Sequence, residues 1–205
     1  MRNDLKPGMK LGVTGGIGSG KTSVCRVFRT LGIPVFSADQ KAREIMDNDE
    51  GIARKLNLIA GKDLFMPGSL DRMELAKLIF NDKNLLEKVN ALVHPAIFDL
   101  FRSWAQVQTG PYVIMEAAIL FESGGSKLVD RTATVVAPEE ERVNRVIRRN
   151  SLSREQVMAR MRNQLDDETR IKLSDYVIYN SETDMIIPAI LKIHNDILTY
   201  INTVN

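Results

Sequence analysis

The chain has 205 residues, of which 44% are hydrophobic and 26% charged, and it contains a single cysteine. These proportions exclude a disordered chain, a collagen-like repeat and a disulfide-stabilised scaffold. The net charge of +2 gives no general indication of nucleic-acid binding, so an anion site must come from local clustering. We expect one large cytoplasmic domain, because no stretch has the length and apolarity of a signal peptide or a membrane span.

The chain begins with a strand–helix–strand pattern. Residues 10–14 predict a short buried strand that ends in a glycine-rich turn, and residues 21–29 predict a helix with apolar residues at helical spacing. A second strand is predicted at residues 33–38. Such a unit is typical of a parallel sheet, and it therefore predicts an α/β fold.

The segment from residue 39 to residue 108 is predicted to be mostly helical. Breaks are expected at Gly61 and at Pro67-Gly68, and the last helix is expected to begin at Pro95. Seventy residues are far more than a crossover between two strands needs. We therefore interpret residues 39–108 as an inserted helical region that binds the substrate.

The remainder of the chain alternates between strands and helices. Buried strands are predicted at residues 112–115, 132–136 and 176–178. The helices are predicted at 139–149, from a capping box at 153–156 onward, and from Asp184 to the C-terminus with Pro188 in its first turn.

The strongest motif is GGIGSGKT at residues 15–22, which matches the phosphate-binding pattern G-x-x-x-x-G-K-[ST]. Glycines allow backbone N–H groups to approach phosphate oxygens, and the following helix N-terminus favours an anion. Lys21 can reach the β- and γ-phosphates, and the Thr22 hydroxyl can ligate Mg²⁺. This motif predicts a nucleoside triphosphate site with the following residues: Gly16, Ile17, Gly18, Ser19, Gly20, Lys21, Thr22 and Ser23.

Two charged residues follow the second predicted strand. The carboxylate of Asp39 lies where it can orient an acceptor hydroxyl for in-line attack, although an aspartate there can equally serve as the N-cap of the next helix. Arg43 lies one helical turn later and can hold a substrate anion, with a solvated surface arginine as the alternative.

An acidic residue also follows the predicted strand at 112–115. Glu116 directly after that strand can take part in the shell of the magnesium ion. Glu122 is a second acid nearby, but its position relative to the strand end fits less well, so that Glu116 is the preferred candidate.

Arginines are concentrated in residues 142–162, where seven of them accompany a single acid, Glu155. Their planar side chains bind phosphate oxygens in a bidentate manner. Arg142, Arg145 and Arg149 share one helical face, and we interpret them as residues of a lid that closes over the triphosphate. A solvated basic face or a nucleic-acid patch is the alternative interpretation.

The remaining histidines, the cysteine and the tryptophan carry less information. His94 before Pro95 fits a substrate contact and a structural turn equally well. His194 is expected at the edge of the core, while Cys25 and Trp104 are expected to pack in the interior.

Several segments resemble the dephospho-coenzyme A kinase family in its order and spacing. They are residues 13–22, residues 37–39 with Ala42 and Arg43, His94 with Pro95, residues 120–122, the arginine-rich segment that ends near Gln164, and residues 175–178 before Asn180. Two differences are Ser37, where the family often has an aspartate, and residues 117–119, where it often has a proline.

The resemblance implies ATP-dependent phosphorylation of the ribose 3′-hydroxyl of dephospho-CoA, with Mg²⁺. It also implies a three-layer P-loop core with a five-stranded parallel sheet (9–38, 109–138 and 170–205), a helical CoA-binding region (39–108) and an arginine-rich lid (139–169). The implied catalytic residues are Asp39, Lys21, Arg145 and Arg149. Together with the residues themselves, we expect Arg142 and Arg149 to contact the nucleotide, Asp39, Arg43 and His94 the substrate, and Thr22 and Glu116 the metal. We expect a monomer or weak homo-oligomer that binds neither nucleic acid nor membrane.

The sequence is also compatible with other functions. A kinase for a nucleotide or another small hydroxyl compound would use the same fold. A GTP-dependent switch is less favoured, because no Asn-Lys-x-Asp segment is present. A nucleic-acid ATPase would show turnover stimulated by RNA or DNA and a steep dependence on salt.

Overall fold

The computed structural model describes residues 8–66 and 69–204. The predicted break at Pro67-Gly68 lies outside these residues. A parallel five-stranded sheet has the order β2-β5-β1-β6-β7, which confirms the α/β prediction. Its strands are β1 (Met9–Thr14), β2 (Val35–Ser37), β5 (Tyr112–Glu116), β6 (Arg131–Val136) and β7 (Tyr176–Tyr179).

Helices α1 (Lys21–Thr30) and α9 (Ile186–Val204) pack together beside this sheet. Alternate strand residues such as Leu11 and Val13 join them in one hydrophobic core. Cys25 is buried there, as predicted, and burial raises the pKa of its thiol, with a smaller contribution from the Glu116 carboxylate.

The neighbouring strand position, Gly12, faces the other side of the sheet. A Cβ atom there would lie 2.6 Å from a methyl carbon of Leu120 and 3.0 Å from one of Val129. The sheet is therefore covered closely on both faces at its central strand, which explains why β1 is buried almost throughout.

A second group of elements occupies most of residues 38–102, which form a compact unit separate from the unit containing the sheet. Its members are α2 (Ala38–Asn48), α3 (Glu50–Ala60), a two-stranded hairpin of β3 (Phe65–Met66) and β4 (Ser69–Leu70), α4 (Arg72–Asn81) and most of α5 (Lys83–Gln106). The mostly helical prediction for this segment is confirmed, and Gly61 ends α3 in the left-handed conformation as expected.

The prediction that a helix begins at Pro95 is wrong. Pro95 lies inside α5, which begins at Lys83 after Asp82 accepts a hydrogen bond from the N–H of Leu85. Proline removes one helical hydrogen bond, but buried residues before and after it keep the helix continuous. Those residues are Val89, Val93, Ile97 and Phe101.

Three helices follow β6 in the unit that contains the sheet. They are α6 (Glu139–Asn150), α7 (Arg154–Arg162) and α8 (Asp167–Leu173). The capping box predicted at Ser153 and Gln156 is confirmed. Helices α6 and α7 pack through a small core of Val143, Val146 and Val157, so they form one supported pair.

Candidate active site

The glycine-rich motif forms the turn between β1 and α1. Within this turn the N–H of Ser19 donates to the carbonyl of Gly16 at 3.1 Å. Gly20 precedes α1 with φ 98° and ψ 20°, a left-handed conformation that glycine adopts without steric cost. The first N–H groups of α1 have no carbonyl partner within their own helix, which makes this position suited to an anion.

The Lys21 side chain folds back over the loop that precedes it. Its Nζ atom donates to the carbonyls of Gly15 at 2.7 Å and of Gly16 at 3.3 Å. A positive charge is therefore held at the mouth of the loop, beside the backbone N–H groups of the first helical turn. This arrangement meets the requirement for a phosphate site predicted from the motif.

Thr22 and Glu116 meet at the carboxyl ends of the strands. The Thr22 hydroxyl donates to Oε1 of Glu116 at 3.3 Å, and Glu116 is almost fully buried as the last residue of β5. Mg²⁺ prefers hard oxygen ligands and usually retains several waters, so one hydroxyl and one nearby carboxylate are a suitable protein contribution. The two residues predicted as metal ligands therefore fit a magnesium ion.

Arg142 contacts the loop backbone with its buried guanidinium. Its Nε donates to the carbonyl of Ile17 at 3.0 Å, and Nη1 donates to Asp167 at 2.6 Å. The side chain is only 7% exposed, and two of its nitrogens donate to protein acceptors. Direct contact with a nucleotide stays a prediction, and the structure instead shows a contact with the loop that would bind the nucleotide.

Arg145 and Arg149 lie further along α6 and have different surroundings. Arg145 donates Nη2 to Glu141 at 2.8 Å, while its buried Nη1 has no hydrogen-bond partner among the described residues. Arg149 is exposed and donates Nε to the neighbouring Asn150 side chain at 2.8 Å. Both keep donor capacity for an incoming anion, and their catalytic roles stay predictions.

Two further residues hold the loop, and the sequence had predicted no role for either. The Gln164 side chain accepts the N–H of Ile17 at 2.8 Å, and the Asn180 side chain donates to the carbonyl of Ser19 at 2.7 Å. Asn180 directly follows β7, so the strand-end rule that selected Glu116 could also have selected it. No comparable signal marks Gln164.

The predicted substrate residues lie in the second unit. Asp39 is exposed in the first turn of α2, which begins at Ala38, so the alternative in which Asp39 is the N-cap is wrong. Arg43 is exposed one turn later. His94 lies inside α5 and stacks on Phe98 at a ring-centroid distance of 6.1 Å, which removes the structural-turn alternative.

Comparison with known proteins gives a consistent result over nearly the whole chain. A family profile described as dephospho-CoA kinase matches residues 9–185. The chain belongs to the dephospho-CoA kinase family. The predicted family resemblance is thereby confirmed.

Individual relatives agree with this assignment. A protein of Bacteroides fragilis named dephospho-CoA kinase is 37% identical over 186 residues, which cover 90% of this chain and 91% of that protein. A crystal structure of a Thermus thermophilus protein matches with a TM-score of 0.80 at 34% identity, over 96% of this chain and 98% of that one. Dephospho-CoA kinase from Campylobacter jejuni matches with a TM-score of 0.67 at 25% identity, over 93% and 98% respectively.

Proposed function

We propose that this protein transfers the γ-phosphate of ATP to the ribose 3′-hydroxyl of dephospho-CoA, which gives coenzyme A and ADP. The observation that carries the proposal is the phosphate loop, over which Lys21 folds back while Thr22 contacts Glu116, within a chain that matches the family over residues 9–185. Phosphoryl transfer depends mainly on positioning and electrostatic stabilisation, and this site provides both.

The loop residues bind and orient the triphosphate. The N–H groups of the first turn of α1 donate to phosphate oxygens, and the Lys21 ammonium neutralises charge on the β- and γ-phosphates. A magnesium ion held by Thr22 and Glu116 would supply further neutralisation of the phosphate charge. Arg145 and Arg149 add donors from α6, where Arg145 keeps one buried unpartnered nitrogen within the described part of the chain.

The acceptor side is supplied by residues 39–108. Asp39 orients the 3′-hydroxyl and accepts its proton, because a carboxylate within hydrogen-bond reach of the hydroxyl can act as a general base. Arg43 holds an anionic group of the substrate, and His94 contributes a contact. Burial lowers the pKa of His94, so its imidazole is neutral at pH 7 and offers one donor and one acceptor.

The proposal also covers the regions of the chain, the location of the protein, its oligomeric state and its partner. Residues 9–38, 109–138 and 170–205 serve as the nucleotide-binding core, and residues 139–169 serve as the lid. The protein acts in the cytoplasm as a monomer or weak homo-oligomer, with a small molecule rather than nucleic acid as its partner. No helix among residues 8–66 and 69–204 combines the length and apolarity that crossing a membrane requires.

A panel of acceptors tests the proposal against other kinases. The protein with MgATP would be offered dephospho-CoA, AMP, adenosine and phosphopantetheine, and the products would be identified by mass and ³¹P NMR. We expect phosphorylation of dephospho-CoA alone, at the 3′ position. Comparable turnover of AMP or adenosine would favour a nucleotide or nucleoside kinase instead.

A further inference from the structure

The peptide groups of Ile17 in the phosphate loop are held from both sides. Arg142 of α6 donates Nε to the Ile17 carbonyl at 3.0 Å, and Gln164, which follows α7, accepts the Ile17 N–H at 2.8 Å. These contacts join positions 125 and 147 residues apart in sequence. Helix α6 and the segment after α7 therefore both contact the loop at Ile17.

Arg142 is fixed in this position by a buried charge network. Its Nη1 donates to Asp167, and the same carboxylate accepts Nη1 of Arg170 at 2.8 Å. Arg170 is 1% exposed, and its Nη2 lies 3.9 Å from Glu122. Two buried guanidinium groups thus face two carboxylates, so their charges are balanced and Arg142 has little freedom to turn away.

The α6 backbone also approaches the loop too closely for a side chain. A Cβ atom on Gly18 would lie 2.4 Å from the carbonyl oxygen of Arg142, and one on Gly16 would lie 2.0 Å from its Nη2. Two of the three guanidinium nitrogens of Arg142 donate to the Ile17 carbonyl and to Asp167, and the third, Nη2, lies against Gly16. The geometry of Arg142 therefore suits support of the loop.

Gln164 is held on the same side by its neighbour in the chain. The N–H of Leu165 donates to Oε1 of Glu122 at 3.0 Å, the carboxylate that also faces Arg170. The segment that carries the Gln164 acceptor is thus tied to the network that fixes Arg142. Both contacts on Ile17 depend on one connected set of charges.

We infer that Arg142 and Gln164 are positioning residues, which hold the Ile17 peptides so that the loop keeps its phosphate-binding shape. The inference rests on the proposed function for its role in turnover. Both side chains act through the backbone of Ile17. Their loss should therefore weaken nucleotide binding and leave the affinity for the acceptor substrate unchanged.

Four variants test this inference through the affinity for ADP, measured by calorimetry, and through steady-state kinetics. Arg142→Gln removes the charged donor and should weaken ADP binding about 10- to 100-fold, the loss expected for a hydrogen bond from a charged group. Gln164→Ala should weaken binding about three- to tenfold, while Gln164→Glu keeps an acceptor and should restore most of the affinity. Arg148→Ala, an exposed arginine on the same helix, is the matched control and should bind ADP normally.

Kinetics and stability distinguish positioning from a purely structural role. The Gln164→Ala variant should show a raised KM for ATP with an unchanged KM for dephospho-CoA. If the Arg142→Gln and Gln164→Ala variants have a lowered Tm but keep the ADP affinity and the KM values of the wild type, the inference is overturned. If Arg142→Gln does not fold, the comparison of Gln164→Ala with Gln164→Glu decides the outcome.

The proposed function can fail independently of this inference. If the wild type binds ADP but does not phosphorylate dephospho-CoA, the proposed function is overturned, while the ADP affinities of the variants still test whether Arg142 and Gln164 support the loop.

Discussion

The hydroxyl of Thr22 donates to the Glu116 carboxylate at 3.3 Å, although the two residues are 94 positions apart in the chain. Thr22 is the second residue of α1, directly after the phosphate loop, and Glu116 ends β5, the strand beside β1. Parallel strands bring their carboxyl ends to the same edge of a sheet, which is where ligands bind in open α/β folds. This contact gives a specific account of where magnesium would be held.

Removal of either ligand should change the response to magnesium. Thr22→Val and Glu116→Gln should each raise the Mg²⁺ concentration for half-maximal activity, by roughly 10- to 100-fold. Thr22→Ser retains the hydroxyl and should remain close to wild type. Titration of activity with MgCl₂ at saturating ATP measures the effect, and equal magnesium dependence of Thr22→Val and Thr22→Ser would contradict this site.

Replacement of Asp39 tests the acceptor side. Asp39→Asn keeps the size of the side chain but removes the base, so kcat should fall by about 10²- to 10⁴-fold while ADP affinity stays unchanged. Asp99→Asn alters another exposed acid, on α5, and should leave kcat close to wild type. Near-normal turnover by Asp39→Asn would leave this residue without a role in catalysis.

Two glycines with the same φ of +79° separate backbone strain from crowding. Gly124 has open space around it, so Gly124→Ala should lower the free energy of unfolding by about 1 to 2 kcal/mol through φ alone. Gly18→Ala adds a clash with the Arg142 carbonyl, so this substitution should lower the free energy of unfolding by about 2 to 5 kcal/mol.

Urea unfolding of the two glycine variants measures the difference, and ADP calorimetry shows whether the loop has moved. We expect Gly18→Ala alone to weaken ADP binding. Equal destabilisation by the two substitutions, with ADP affinity retained in both, would mean that α6 does not constrain the loop.

The sequence predicted the sheet and the glycine-rich turn because each follows from a local pattern, and it selected Thr22 and Glu116 separately, from the motif and from the rule about strand ends. Arg142 shows where such reasoning stops. Helical spacing placed it on one face with Arg145 and Arg149, but spacing does not reveal what that face packs against. The charge partner Asp167 lies on another helix, and its contact with Arg142 depends on tertiary packing.

Pro95 illustrates a second limit. Proline at the first position of a helix is common, so a helix start was the natural prediction. Apolar residues on both sides of Pro95 bury one continuous face, as Val93 and Ile97 do, and this burial outweighs one missing hydrogen bond. Local propensity therefore gave way to the burial of this face.

Histidine protonation should make stability depend on pH. His194 contacts the Tyr112 hydroxyl through Nδ1 at 2.8 Å, and burial lowers the pKa of both His194 and His94 below the usual value. The unfolded chain then binds more protons than the folded one, so stability is complete above the unfolded pKa of about 6.5 and falls as the pH decreases through it.

The free energy of unfolding should therefore be smaller at about pH 5.5 than at about pH 7.5. His194→Gln, which still offers an acceptor to Tyr112, should reduce this difference, and the double variant with His94→Gln should reduce it further. Urea titrations at both pH values measure the effect. If the free energy of unfolding changes as much between the two pH values in the double variant as in the wild type, groups other than these histidines cause the change.

Phosphoryl transfer to dephospho-CoA is measured by the release of ADP from MgATP with and without dephospho-CoA, together with the mass of the acceptor. We expect ADP release that depends on dephospho-CoA and an acceptor that gains one phosphoryl group for each ADP formed. Tight binding of ATP without any dependence of ADP release on dephospho-CoA would contradict the proposed acceptor.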